Sequence, residues 1–529
     1  MTQLKKSWRW AVFLSLILVI LSAGCGNNEE PEKVIDAAPS ELEKAEDEII
    51  QSQTISRVIQ DCDVGSQEAV LIPDQIPDWS ILPINACYQL WLQLKDDPRA
   101  YDGRAQITYT NETKESLDEL VFRLYPNADR VYGGSLDITS AQISGNHLQP
   151  EIFLEDKTGL RLNLENPIQP DETVVIELEF NGRLTDGFED SPGTYGIFNY
   201  SQRDDVATFI NWYPILAVRQ DGDWQSEPVI GIGDAVISEV GLYLVEITAP
   251  ADLQVVTGGS LIGEESQNGE KVYRFASGPV RDFPVVASPN FIMIQDEVDG
   301  VNIQHWGLSG GEELWDEALQ SSANSLEVFN ELFGRYPYRE LDIVVVPLQL
   351  ASGVEYPGLF LMRDDLYSNS QGRSFLLTTI ISHETAHQWW YGLVGNDVIE
   401  NPWQDEALTT FSSLIFLEQF EPQVHDGTVD HFEQISKEVN DNLANSDVRQ
   451  PVAAFIDQAE NYSPVVYSKG ALFFLELRKE IGDQAFFTAL QEYFSNNLYK
   501  IASPDSLLDE FENSCQCELQ NFYSEWGLQ

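Results

Sequence analysis

Two histidines and two glutamates stand at spacings that suit a metal-dependent hydrolase. His383 and His387 are four residues apart, Glu384 follows the first, and Glu406 comes after the eighteen residues 388–405. On a helix, residues four apart project from the same face, so both imidazoles can reach one ion. The pattern predicts one zinc ion held by His383, His387 and Glu406, with a position left for water, and Glu384 as the general base.

Two predicted helices carry these residues. Segments 374–394 and 402–420 both have the patterning of helices. Asn401 is expected to cap the second helix, with Gln404 as its capping-box partner. Asp405 is expected to hydrogen-bond a ligand imidazole, and a solvated acid is the alternative.

The rest of the chain divides into a β-rich part and a helix-rich part. Between residues 86 and 306 short segments alternate apolar and polar residues, as in 174–180, and this period of two predicts half-buried antiparallel strands. From residue 307 onward helical spacing predominates, as in 312–333, around one buried strand at 341–346. The sequence therefore predicts an α+β protein of several domains.

The charge balance excludes one class of partner. The chain has 30 Lys and Arg residues against 86 Asp and Glu residues, a formal net charge of −56. Nucleic-acid binding requires clustered basic residues, so no nucleic-acid partner is expected. Hydrophobic residues make up 43% of the chain, which is enough for folded cores.

The N-terminus has the features of an export signal. Lys5, Lys6 and Arg9 precede an apolar stretch at 10–21, and small residues lead to Cys25. This end resembles a bacterial lipoprotein box, which predicts a signal peptide over residues 1–25 and lipidation of Cys25. A plain cleaved signal with an incidental cysteine is the alternative. The expected location is extracytoplasmic and membrane-anchored.

An acidic segment follows the signal. Residues 26–85 are assigned to a tether, because their first half is rich in Glu, Asp and Ala and lacks aromatic residues. A solvent-exposed helix is expected within it at 40–53. Export allows the remaining cysteines to form structural disulfides, whose pairing the sequence leaves open. These cysteines are Cys62, Cys87, Cys515 and Cys517.

The zinc-site residues resemble the aminopeptidase N family of gluzincins, whose pattern is His-Glu-x-x-His, eighteen residues, then Glu. Segments 387–390 (His-Gln-Trp-Trp), 403–406 (Trp-Gln-Asp-Glu) and 333–338 (Phe-Gly-Arg-Tyr-Pro-Tyr) also look like that family. The resemblance implies an N-terminal β-saddle or sandwich domain over 86–306. It implies a mainly helical, thermolysin-like zinc peptidase domain with a small sheet over 307–529.

Two further signatures separate this family from other zinc peptidases. Gly353-Val354-Glu355-Tyr356 is similar to the family segment that binds substrate, and the resemblance implies that Glu355 grips a free α-amine. Tyr467-Ser468-Lys469-Gly470 is similar to a segment whose tyrosine stabilises the oxyanion, and Lys469 and Gly470 are taken as structural. No second amine-binding acid is located in the β-rich part.

These features predict hydrolysis of peptide bonds, with release of N-terminal residues as the main activity. The strand at 341–346 and the Gly353 segment after it are expected to offer backbone groups to an extended peptide. Larger relatives continue into a helical domain over the active site, so an open cleft is expected here. The alternatives are a zinc endopeptidase and a non-catalytic surface binding lipoprotein. Peptides and, through the lipid, a membrane are the expected partners, with no obligate protein partner.

Overall fold

The computed structural model describes residues 62–185, 194–367 and 374–528. A multi-sheet β part precedes a mainly helical part with its own sheet, which confirms the predicted α+β class. The predicted signal peptide with Cys25, and the predicted helix at 40–53, lie outside the described residues. Among the described residues, no helix combines the length and the apolar character that crossing a membrane requires.

The β-rich part is built on an eight-stranded sheet in the order β16-β17-β14-β1-β2-β8-β4-β5. Strand β1 pairs in parallel with β14, and every other pair in this sheet is antiparallel. The strands of this part are β1 (Ala86–Leu94), β2 (Ala100–Thr110), β3 (Leu117–Arg123), β4 (Ser135–Ile143), β5 (Asn146–His147), β6 (Glu151–Phe153), β7 (Gly159–Ile168), β8 (Thr173–Arg183), β9 (Phe198–Ser201), β10 (Val206–Phe209), β11 (Ile215–Leu216), β12 (Arg219–Gln220), β13 (Asp223–Trp224), β14 (Gly241–Pro250), β15 (Gln254–Thr257), β16 (Ser260–Gln267), β17 (Glu270–Val280) and β18 (Val285–Ser288).

Alternating hydrophobicity explains how these strands form. In β8 the side chains of Ile176 and Leu178 are fully buried, whereas Glu177 is partly exposed and Glu179 is exposed. Because successive residues of a strand face opposite sides, one face of β8 joins the core and the other meets solvent. The predicted strand at 174–180 is therefore confirmed.

A second sheet supports the candidate site. Its strands, in the order β19-β20-β21-β23-β22, are β19 (Ile292–Val298), β20 (Val301–Gly307), β21 (Glu340–Val346), β22 (Gly353–Tyr356) and β23 (Leu359–Arg363). The predicted buried strand is β21, which is bonded on both sides by β20 and β23. Its backbone groups are occupied, so the expectation that it offers them to a peptide is wrong. Strand β22 forms one edge of the sheet.

Two helices, Trp315–Leu332 and Ser374–Ala386, pack against this second sheet. The helices of the described residues are α1 (Val64–Ala69), α2 (Trp315–Leu332), α3 (Ser374–Ala386), α4 (Trp403–Phe420), α5 (Pro422–Asn442), α6 (Gly470–Ile481), α7 (Asp483–Asn497), α8 (Pro504–Cys515) and α9 (Gln520–Trp526). Helix α3 ends at Ala386, not at 394 as predicted, because the amides of Gly392 and Leu393 bond back into a series of turns. A π-helical turn, Pro464–Lys469, leads directly into α6.

The predicted cap of α4 is wrong. The helix begins at Trp403 after Pro402, and no side chain caps it. The Gln404 side chain is buried and donates instead to the Tyr493 hydroxyl (2.7 Å) and the Ala502 carbonyl (3.1 Å). Tertiary packing therefore outcompetes the local capping box.

Residues 62–85 are folded, which corrects their assignment to the tether. Cys62 is disulfide-bonded to Cys87 in β1. The buried Gln67 side chain donates to the Tyr243 carbonyl (3.1 Å) and accepts from the Gly278 amide (2.8 Å). This segment contains Val70-Leu71-Ile72, all buried, so it has the apolar surface that the residues before it lack. The other disulfide joins Cys515 and Cys517.

A buried arginine joins the β-rich and helical parts. Arg281, 1% exposed, donates from its guanidinium to the carbonyls of Ser238 (2.9 Å), Tyr391 (2.9 Å) and Lys500 (2.5 Å). Tyr391 follows the histidine motif and Lys500 follows α7. The turns behind the candidate metal site are thus bonded to the end of the β-rich part.

Candidate active site

Three predicted metal ligands converge. His383 lies on α3, His387 one residue beyond its end, and Glu406 in the first turn of α4. Glu406 Oε2 is 3.3 Å from His383 Nε2 and 3.4 Å from His387 Nε2, and one donor atom from each residue falls within 4.8 Å of the others. Two imidazoles and one carboxylate facing one point fit the donor set of a zinc ion that keeps a position open for water.

Contacts to Nδ1 fix the orientation of the His387 ring. Its Nδ1 lies 3.0 Å from the Trp390 carbonyl and 3.3 Å from the Thr409 hydroxyl. Because a carbonyl only accepts, Nδ1 carries the proton and Nε2 is left free to bind a metal. No sequence pattern predicts the contact with the Trp390 carbonyl. The contact with Thr409 was easier to predict, because Thr409 lies three residues after Glu406 on the same helix.

Asp405 does not hydrogen-bond an imidazole, so that prediction is wrong. Its Oδ1 accepts from the Glu406 amide at 2.9 Å. The first amides of a helix lack partners within the helix, and the side chain of Asp405 satisfies one of them. Burial, with the nearby Glu406 charge, raises the pKa of Asp405 to about 8.

Glu384 lies in the cleft beside the metal ligands. Its side chain is 4% exposed, and its Oε2 has no hydrogen-bond partner among the described residues. Burial, and then the charge of Glu355, raise the pKa of its carboxyl well above the usual range. A Cβ at Gly353 would overlap the Glu384 carboxyl, so strand β22 can lie against Glu384 only with glycine at that position.

Two further acids stand near the ligands. Glu355, on edge strand β22, is 8% exposed, and burial together with the charge of Asp234 raises its pKa to about 8. Asp234 comes from the loop between β13 and β14, and its carboxyl lies close enough to that of Glu406 for the two charges to interact. Burial, followed by the charge of Glu406, raises the pKa of Asp234. Sequence reasoning missed Asp234.

A tyrosine hydroxyl also reaches the ligands. Tyr467, on the π-helical turn, donates to Glu406 Oε1, and its ring stacks 6.0 Å from that of His383. Burial, and then the charge of Glu406, raise the pKa of Tyr467 well above its usual value, so its hydroxyl keeps its proton at neutral pH. A π-helical turn widens the helix locally and is frequent at functional sites.

These side chains line one cavity of about 530 Å³. Strand β22 and the Asp234 loop contribute Glu355 and Asp234 to it. Helices α3 and α4 contribute Glu384 and the candidate metal ligands, and with α5 they add neutral side chains: Thr379, Ile380, Thr410, Ser413, Leu414, Thr428 and Phe432. Acids, candidate metal ligands and neutral side chains therefore share one cavity.

Comparisons with known proteins agree with this arrangement. Residues 317–526 match the model of the peptidase family M1 domain. The chain is 24% identical over 455 residues to "Aminopeptidase M1" of Arabidopsis thaliana, covering 82% of this chain and 50% of that protein. It is 28% identical over 207 residues to "Endoplasmic reticulum aminopeptidase 2" of Homo sapiens, covering 37% of this chain and 21% of that protein. This chain thus spans about half or less of the length of these relatives.

A solved structure has the same fold. The M1 zinc metallopeptidase from Deinococcus radiodurans is 20% identical and superposes with a TM-score of 0.63. The match covers 85% of this chain and 96% of that one. The β-rich part and the helical part therefore occur together in both molecules.

Proposed function

We propose that this chain, a member of the aminopeptidase N family of gluzincins, is a zinc metallopeptidase that removes N-terminal residues from peptides. One observation carries the proposal. Glu355 and Asp234 place two carboxyls in the cleft beside the candidate metal ligands, and no Lys or Arg side chain of the described residues lines the cavity. A protonated α-amine is the substrate group that two such carboxyls bind, because its positive charge favours their ionised form.

His383, His387 and Glu406 would hold the zinc ion. When bound, zinc polarises a peptide carbonyl and lowers the pKa of water to about 7, which makes a nucleophile at neutral pH. Glu384 accepts a proton from that water and returns it to the leaving amine. The Tyr467 hydroxyl donates to the oxygen on which negative charge develops.

Two carboxyls and strand β22 bind the substrate peptide. Glu355 and Asp234 bind the protonated α-amine and so set the distance from the chain end to the cleaved bond. Strand β22 offers the free edge of its sheet to the peptide backbone, as in strand addition. Burial keeps both interactions strong, because a charge-assisted hydrogen bond shielded from water contributes about 1.5 to 3 kcal/mol.

Matched peptides test this function. The full-length protein, purified in detergent, would be given one peptide with a free terminus and the same peptide N-acetylated, each with and without a zinc chelator. Chelator-sensitive cleavage of the free peptide alone is expected. Cleavage of both would indicate a zinc endopeptidase, and cleavage of neither, with zinc bound, would indicate a non-catalytic binding lipoprotein.

We also propose that the protein is exported and anchored through a lipid on Cys25. The basic start, the apolar stretch and the small residues before Cys25 support this. Cys25→Ser is expected to move the protein from the membrane fraction to the soluble fraction and to abolish incorporation of labelled fatty acid. Membrane association that persists without the cysteine would contradict the anchor.

A further inference from the structure

Helices α4 and α6 meet at a point with no space for an additional atom. Gly470 is the first residue of α6, and a Cβ placed on it would overlap the Cβ of Ala407 on α4. Both residues are fully buried. The Ala407 methyl is attached directly to the backbone and cannot rotate away, so a side chain at 470 must push the two helices apart.

This contact lies next to two residues of the site. Ala407 directly follows the metal ligand Glu406, and Gly470 comes three residues after Tyr467, whose hydroxyl bonds Glu406. The spacing between the helices at Gly470 therefore sets how far the Tyr467 hydroxyl stands from Glu406. We propose that Gly470 is a positioning residue, whose missing side chain lets the π-helical turn bring the Tyr467 hydroxyl to the metal ligand.

Hydrogen bonds from Lys469 also hold the π-helical turn in place. Lys469, 4% exposed, donates from Nζ to Asn440 Oδ1 (2.8 Å) and to the Ser446 carbonyl (2.6 Å). These bonds tie the turn to the end of α5 and the loop after it. With Lys469 fixing one side and the Gly470 contact the other, a shift of α6 moves Tyr467 rather than being absorbed by the turn.

Helix propensity predicts opposite effects of Gly470→Ala with and without the contact to Ala407. In a helix, alanine is more favourable than glycine by about 1 kcal/mol, so Gly470→Ala would stabilise the protein if the contact did not exist. Gly427, on α5, has no atom within 4 Å of its Cβ position and is the matched control. Gly427→Ala is expected to retain the wild-type kcat.

The experiment compares kcat, KM and bound zinc for Gly470→Ala, for Gly427→Ala and for the double variant Gly470→Ala, Ala407→Gly. For Gly470→Ala alone, kcat is expected to fall by at least about 10-fold with KM within about 3-fold and zinc retained, because a displaced oxyanion donor weakens only the transition state. The double variant restores the space and is expected to recover most of the lost kcat.

An unchanged kcat in Gly470→Ala would overturn the proposal, and so would a loss that Ala407→Gly fails to repair. This inference rests on the proposed function, and Tyr467→Phe separates the two. If Tyr467→Phe lowers kcat about 100-fold or more while Gly470→Ala does not, the positioning role fails and the function stands. If Tyr467→Phe leaves kcat unchanged, the role assigned to Tyr467 fails, and the positioning role fails with it.

Discussion

The carboxyl of Asp234 lies close enough to the carboxyl of Glu406 for the Glu406 charge to raise its pKa, although Asp234 belongs to the β-rich part and Glu406 to helix α4. Two carboxylates repel each other unless a proton or another positive charge lies between them. The raised pKa of Asp234 supplies a proton, and in the proposed function a protonated α-amine supplies the positive charge instead. The loop carrying Asp234 is thus proposed to complete the amine site of a cleft whose candidate metal ligands all come from the helical part.

Asp234→Asn tests this role. The substitution keeps the shape of the side chain but removes one negative charge from the amine site. We expect kcat/KM for a free-terminus peptide to fall about 10-fold to 100-fold, the range for a hydrogen bond to a charged group, with zinc content unchanged. An Asp234→Asn protein that processes free termini as well as the wild type would exclude Asp234 from amine binding.

Glu384→Gln tests the general base. Glutamine fits the same space beside Gly353 but cannot accept the proton of the attacking water. We expect turnover to fall by about 100-fold to 10,000-fold while zinc, measured by metal analysis, stays bound. A clean preparation with full activity would contradict the proposed mechanism.

Gly353→Ala tests the contact between β22 and α3. The new Cβ would overlap the Glu384 carboxyl, so either that carboxyl or the edge strand must move. We expect kcat/KM to fall at least about 10-fold, because small displacements of reacting groups are costly. The zinc content should stay at the wild-type level, since the three atoms nearest the new Cβ all belong to Glu384 and not to a candidate metal ligand. Wild-type kcat/KM would show that the cleft tolerates this shift.

A carboxyl pair in strand β21 predicts a pH dependence of stability. Burial, which outweighs hydrogen bonds from Gln304 and Asp342, raises the pKa of Glu340 to about 7 from its ordinary 4.5. The folded protein thus holds a proton that the unfolded chain releases, so the unfolding free energy falls as pH rises through that window. We expect a loss on the order of 2 kcal/mol between about pH 5 and pH 8, measured by urea denaturation.

Glu340→Gln is expected to flatten this pH dependence, because it removes the carboxyl that holds a proton in the folded protein and releases it on unfolding. Asp118→Asn, on the exposed side of β3, is the control and should leave the slope unchanged. A slope that persists in Glu340→Gln would assign the pH dependence to other groups.

The convergence of His383, His387 and Glu406 was predictable because it depends mostly on local geometry. Four-residue spacing on a helix aligns the two imidazoles, and this holds although His387 lies just past the end of α3. The strand β8 was predictable for the same reason, since alternation along one segment decides which face is buried.

The features that could not be predicted from the sequence depend on contacts between segments that are distant along the chain. Asp234 reaches Glu406 only because a loop of the β-rich part packs onto the helical part, and no periodicity encodes that. The predicted Asn401 cap does not form because the Gln404 side chain hydrogen-bonds Tyr493 on α7 and the Ala502 carbonyl after that helix. The predicted tether, 26–85, is wrong for residues 62–85 because the acidic composition of its first half does not extend to them.

The buried hydrogen bonds of Arg281 determine how the contact between the β-rich and helical parts responds to pH and salt. Its guanidinium donates to three backbone carbonyls, and the carboxyl of Glu239 acts on it through its charge. Carbonyl groups do not titrate and a guanidinium stays charged in proteins, so the groups in these three hydrogen bonds keep their ionisation state between acidic and alkaline surroundings. Being buried, these bonds are also little screened by salt. The two parts should therefore stay docked in brine or acid that loosens the exposed ion pairs elsewhere on the surface.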